Sequence, residues 1–218
     1  MYVGRIVAIA QNQAGRNAAL YRVSSRSFPN RRARISAEAV AIVPKPGHET
    51  DIEKNPYIAY NCLRTCGPYA VAANGSQTDP IAEKLAAGCP PREALASVLL
   101  ALDYEHDSYN TPRIAAVVAR GGAVGWLGIV RHDAILVKEF PLEPGAVFYV
   151  CTYEHNALDP GFGGAGFNAQ SAGACCRYIL GQGVFAELER PITAACALER
   201  TRDAGFEMAV LDAPAPGQ

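Results

Sequence analysis

Apolar positions in this chain fall in short runs separated by turn residues, not in long amphipathic stretches. Val3 to Ala10 is almost continuously apolar, which predicts a strand buried on both faces. Ala18 to Val23 predicts its neighbour across the polar loop Gln11 to Arg16. Ile35 to Val43 reads as a third strand closed by Pro44 and Pro46, and Ile58 to Leu63 and Tyr69 to Asn74 as a pair joined at Gly67-Pro68. Thr78-Asp79-Pro80 then opens a helix, with Thr78 a candidate N-cap, that Gly88 ends. Pro90-Pro91 opens a second, whose Leu95, Val98, Leu99 and Leu102 make an apolar stripe. Strands return at Ile114 to Ala119, Gly125 to Arg131, Ala134 to Phe140 and Val147 to Tyr153. A Gly-rich stretch, Asp159 to Gly173, precedes a short helix to about Leu180, and Glu207 to Leu211 is a last strand before a Pro-rich tail.

Two runs of strands thus flank a helical pair without βαβ alternation. That pattern predicts an α+β fold of two mostly antiparallel sheets with helices packed outside, in one domain over residues 1–218.

Composition narrows the function. With 218 residues, half of them hydrophobic, the chain can bury a substantial core. Its formal net charge of −1 gives no overall field for nucleic acid or an anionic membrane. An anion site must therefore be local, which suits a small phosphorylated ligand. The seven cysteines lack metal-ligand spacing with the four histidines and read as reduced core thiols, with no metal expected. No signal peptide or membrane-spanning apolar run is evident, so the expected location is the cytoplasm.

Candidate chemistry concentrates in a few segments. Tyr21 to Asn30, followed by Arg31, Arg32 and Arg34, crowds guanidinium groups and hydroxyls around one proline; it reads as an anion clamp or as a solvated basic turn. Gly161 to Gly166 contains Gly-x-Gly-x-x-Gly, but no βαβ unit surrounds it, and a flexible surface loop is the better reading. Asn74-Gly75-Ser76 reads as a turn after a strand. The densest segment is Asp103 to Arg113, which leaves the second helix from its buried stripe. If the helix continues, Glu105, three residues after Leu102, aims at the core, and a carboxylate on an apolar face is a candidate acid or base; His106 falls still nearer the centre of the stripe, and an acidic residue at a helix end also reads as a solvated one. Tyr60 shares a strand face with Ile58 and Cys62; it is a core residue with a tied hydroxyl, or functional if that face lines a pocket.

Together, Tyr-Val-Gly-Arg at 2–5, Tyr-Arg-Val-Ser-Ser-Arg-Ser-Phe-Pro-Asn-Arg at 21–31, Asn-Pro-Tyr-Ile-Ala-Tyr-Asn-Cys at 55–62, Asn-Gly-Ser-x-Thr-Asp at 74–79, Asp-Tyr-Glu at 103–105 and Asn-Thr-Pro-Arg-Ile-Ala at 110–115 resemble the archaeal-type IMP cyclohydrolase family. The likeness covers roughly the first 150 residues, and beyond Tyr153 little is recognisable. It implies a four-layer αββα sandwich resembling N-terminal-nucleophile (Ntn) hydrolases. It also implies closure of 5-formamidoimidazole-4-carboxamide ribotide (FAICAR) to IMP with loss of water, the last step of de novo purine synthesis. The chain begins Met1-Tyr2, so removal of Met1 would expose no Cys, Ser or Thr, and the hydrolase chemistry of that fold is not expected.

Carried over by position, the resemblance implies Arg31, Tyr60, Asn74 and Glu105 as catalytic candidates and Ser25, Arg26, Asn110 and Arg113 as substrate-binding candidates. It implies no metal or organic cofactor, a purine nucleotide as partner, and a homo-oligomer as a candidate assembly. The rival expectations are a non-catalytic purine-nucleotide sensor and an amidohydrolase of the same fold acting on another substrate.

Overall fold

The computed structural model describes residues 1–201 and 205–214; the end of the Pro-rich tail, and with it the end of the expected domain, lies outside them. The strands are β1 (Arg5–Gln11), β2 (Asn17–Ser24), β3 (Arg31–Ser36) and β4 (Ala39–Pro44), followed by the single-turn helix α1 (Asp51–Lys54) and a 3-10 turn at Pro56–Ile58. Next come β5 (Tyr60–Cys66), β6 (Tyr69–Ala73), α2 (Thr78–Ala86), α3 (Pro91–Leu102), β7 (Arg113–Ala119), β8 (Val124–Arg131), β9 (Ala134–Pro141), β10 (Val147–Cys151) and β11 (Gly163–Gly164). The chain ends with α4 (Ala172–Gly181), β12 (Pro191–Glu199) and β13 (Phe206–Asp212).

The fold is α+β, with two antiparallel sheets and four helices. One sheet has the order β11-β10-β1-β2-β12-β13, the other β3-β4-β5-β6-β7-β8-β9. Val7, Ile9 and Tyr21 of the first sheet and Ile42, Leu63, Ile114 and Ile129 of the second share one buried apolar cluster. A second cluster joins Ile6, Ala8, Leu20 and Cys196 to Cys176 and Ile179 of α4. A third joins Val71, Ala115 and Val117 to Ile81, Leu85, Leu95 and Val98 of α2 and α3. Period-two alternation explains the arrangement: Val7 and Ile9 face the other sheet, and Ile6 and Ala8 face α4.

Several expectations are corrected. Ile35 to Val43 is not one strand: the chain reverses at Ala37-Glu38, where no Gly or Pro announces the turn. Arg31, Arg32 and Arg34 sit on the edge strand β3, a place where charge blunts unwanted strand pairing, and not in a basic turn. Ile58 lies in the 3-10 turn, so its strand starts at Tyr60. Thr78 is the first helical residue, and its hydroxyl donates to the Gly75 carbonyl (2.9 Å). β12 escapes the pattern reading because it is rich in alanine, which strands disfavour; it is nevertheless interior, between β2 and β13. The Gly-rich stretch is more than a surface loop, since Gly163 and Gly164 pair with β10 and Phe167 is fully buried.

Candidate active site

Antiparallel pairing brings one set of strand ends together. Arg5 begins β1, beside Val23 near the end of β2; Tyr60 begins β5, Arg113 begins β7, and Arg31 begins β3. Asn74 and Gly75 follow β6, and Thr152 and Tyr153 follow β10. The polar residues therefore gather where both sheets run out and the shared core stops.

Glu105 lies at the centre and is 1% exposed. It does not arrive there on the helix. α3 stops at Leu102, which is 38% exposed and leaves the stripe, and Asp103 turns the chain with φ 56°. A tight loop then carries Glu105 inward. Its N–H donates to the Thr111 carbonyl (2.8 Å), while the Asp107 carboxylate accepts from the Thr111 N–H (3.0 Å) and hydroxyl (2.7 Å). Asn110 completes the loop in the left-handed region (φ 47°), which Asn tolerates better than most residues.

Arg5 Nη2 donates to Glu105 Oε2 at 2.8 Å. Arg113 Nη1 stands 3.9 Å from Glu105 Oε1, which is buried and has no hydrogen-bond partner among the described residues. The same holds for Nε of Arg5 and Nε of Arg113. Burial pushes the Glu105 carboxyl above its ordinary range, and Arg5 and Arg113 pull it part of the way back. Burial opposes the Arg5 charge, yet Glu105 with Tyr60, Tyr153 and Tyr21 outweighs it and holds the guanidinium charged.

Tyr60 meets Tyr21 of the opposite sheet, hydroxyl to hydroxyl, at 2.5 Å. Burial raises the Tyr60 phenol, against the pull of Arg31 and Arg5. Arg31 is 2% exposed, and its Nε donates to the Phe28 carbonyl (3.1 Å). Arg113 Nη1 donates to Gln77 Oε1 (3.1 Å) in the space beside Gly75, where a Cβ would come within 2.7 Å of both atoms.

The other candidates lie differently. Asn74 is committed to the protein: its Oδ1 accepts from Gln77 Nε2 (2.7 Å) and the Ile114 N–H (2.8 Å), and its Nδ2 donates to the Pro112 carbonyl (2.9 Å). Asn110 is exposed and lines a cavity of about 350 Å³ with Tyr109, Arg131 and Tyr153. Ser25 accepts from the Phe28 N–H (3.0 Å) and lines a separate cavity of about 300 Å³ with Lys45 and Arg190. Arg26 is exposed, ion-paired with Glu189 (3.1 Å) and stacked over Tyr2 at 4.3 Å. A larger cleft of about 450 Å³ beside α4 has no carboxylate in its lining.

The structure thus brings Arg31, Tyr60, Glu105 and Arg113 around Arg5, puts Asn74 behind them, and leaves Asn110, Ser25 and Arg26 outside. Sequence reasoning missed Arg5, Tyr21 and Gln77. Arg5 carried a signal, a cation at the head of the apolar run Ile6 to Ala10. Tyr21 carried none, because a strand tyrosine is usually core.

Comparison with known proteins places the chain in a family. The model of the IMP cyclohydrolase-like protein family matches residues 2–203, reaching well past Tyr153, through α4 and β12. The proteins named IMP cyclohydrolase from Methanosphaera stadtmanae, Methanocella arvoryzae and Halobacterium salinarum are similar along all or nearly all of their length. The Methanosphaera protein is 44% identical, over 92% of this chain and 95% of its own. The Methanocella protein is 46% identical and the Halobacterium protein 42%, each over 98% of this chain and 100% of its own. With the match spanning nearly every element and relatives this similar, the chain belongs to the IMP cyclohydrolase-like protein family.

Proposed function

We propose that the protein closes FAICAR to IMP with release of water. The observation that carries this reading is Glu105 Oε1, a buried carboxylate oxygen without a hydrogen-bond partner among the described residues, in a carboxylate held between Arg5 and Arg113, with Arg5 also acting on the Tyr60 phenol. Ring closure needs such a group. The carboxamide nitrogen attacks the formyl carbon of the same molecule and must lose a proton as the new C–N bond forms. The formyl oxygen gathers negative charge, takes protons and leaves as water while the formamide nitrogen gives up its hydrogen. Glu105 takes the carboxamide proton; Arg31 and Tyr60 stabilise and protonate the departing oxygen. Because the step is intramolecular, positioning need only freeze a few rotors at about 0.5–1.5 kcal/mol each, and proton transfer is the larger demand, worth about 10²–10⁴ in rate. The reaction balances without an oxidant, a reductant or a metal.

Asn74 acts through its neighbours: it fastens the turn after β6 to the start of β7 and so sets Gly75 and Arg113. Arg113 faces the ribotide; Asn110, Ser25 and Arg26 lie outside this cluster and are rim contacts in this reading, with Ser25 and Arg26 nearest the phosphate. The contacts of α4 with one sheet and of α2 and α3 with the other support a four-layer αββα sandwich of the Ntn-hydrolase type, one domain over residues 1–218. A cytoplasmic homo-oligomer fits this reading, and exposed Leu100, Ile135 and Leu136 near the β9 edge support assembly.

The test is an absorbance assay for IMP formation from FAICAR with purified, metal-stripped protein. Turnover is expected. A folded protein that binds IMP without turning over FAICAR would make it a nucleotide sensor.

A further inference from the structure

Tyr21 has no part in the roles assigned so far, yet it is fully buried and its hydroxyl meets Tyr60 at 2.5 Å across the gap between the sheets. The two rings cross at 89° with centroids 6.4 Å apart, so the contact is directed at the oxygens and is not ring stacking. We propose that Tyr21 is a positioning residue which donates its hydroxyl proton to Tyr60, leaving the Tyr60 O–H to point into the site.

The direction follows from burial. Among the described residues, Tyr60 is the hydrogen-bond partner of the Tyr21 hydroxyl. If Tyr60 donated, the Tyr21 proton would be left inside the core without an acceptor, at a cost of about 1–3 kcal/mol. If Tyr21 donates, both oxygens are satisfied, and the Tyr60 proton is the one left for substrate. Tyr60 is the more exposed of the two, half-buried where Tyr21 is fully enclosed. Accepting a hydrogen bond also polarises a hydroxyl and makes it a better donor in its turn. Arg5 and Arg31 both act on the pair, so the Tyr60 proton lies among cations that suit the negative charge gathering on the formyl oxygen. Tyr21 thus sets the orientation of the acid without touching substrate.

This inference rests on the cyclohydrolase reading. Tyr21→Phe should lower kcat about five- to tenfold, the scale of one hydrogen bond, while KM stays within about twofold. Tyr60→Phe should lower it further, and the double variant should match Tyr60→Phe alone, because Tyr21 acts only through Tyr60. A stability loss would reduce the IMP-binding fraction and leave kcat per site unchanged, so IMP binding stoichiometry is measured alongside. Wild-type kcat in Tyr21→Phe, or a double variant that falls by the product of the singles, overturns the proposal. A measurement that needs no variant is NMR of tyrosine-labelled wild-type protein: a slowly exchanging hydroxyl proton is expected on Tyr21, and its assignment to Tyr60 would overturn the proposal. Wild-type protein without turnover sinks the cyclohydrolase reading; turnover with an indifferent Tyr21→Phe sinks only the tyrosine assignment.

Discussion

Two arginines on neighbouring strands, Arg22 fully buried and Arg5 half-buried, contrast a part of the molecule that holds with the part proposed to act. Arg22 on β2 is fully buried and points away from the opposite sheet, towards α4. Its Nε donates to Ser24 Oγ (2.9 Å), Nη1 to the carbonyls of Ile179, Leu180 and Phe185 (3.2–3.5 Å), and Nη2 to those of Leu188 (2.5 Å) and Glu189 (3.0 Å). It caps the end of α4 and gathers the loop behind it. With no carboxylate among these partners, burial lowers its pKa to about 10, with Cys151 opposing. Arg5 on β1 is the contrast. It faces a carboxylate, its charge is reinforced, and its Nε and the Glu105 Oε1 beyond it have no hydrogen-bond partner among the described residues. Arg22, with every nitrogen donating, holds structure; the unused hydrogen-bonding capacity beside a second charge is what makes Arg5 and Glu105 candidates for ligand contact.

The sharpest way to break this contrast is Glu105→Gln, which removes the proposed base while nearly preserving shape. Turnover should fall about 10²–10⁴-fold with the fold retained by circular dichroism. Arg22→Leu should do the reverse. Stripping several carbonyls of their donor should cost at least about 3 kcal/mol and lower Tm by about 6–12 °C, while kcat per folded site stays near wild type. Arg5→Lys, the mildest change, keeps the charge but loses the forked geometry, and kcat should fall about tenfold with little change in Tm. A comparable loss of activity in Arg22→Leu would erase the distinction.

The division also explains what could be read from the chain. Periodicity finds β1, β2, α2 and α3 because their apolar spacing is set by burial on defined faces. It misses β12, where alanine carries no strand signal, and the hairpin between β3 and β4, whose turn lacks Gly or Pro. Glu105 shows the limit most clearly. The helical extrapolation aims it at the core, yet α3 has already ended, and the Asp107–Thr111 loop does the aiming. Asn74 is legible as important from its motif but not in its role, because only folding shows its amide already committed. The Tyr21–Tyr60 contact joins two sheets, and no local pattern encodes it.

The central claim is that Glu105 works as a base from a buried position, and the pH dependence of kcat tests it most directly. Burial raises the Glu105 carboxyl above its ordinary value of 4.5, so the active carboxylate is lost as pH falls through that raised value. Wild-type protein should therefore show an acid limb with its midpoint above 4.5, and Glu105→Gln should show none. The same limb in Glu105→Gln, at a rate near wild type, would contradict the account.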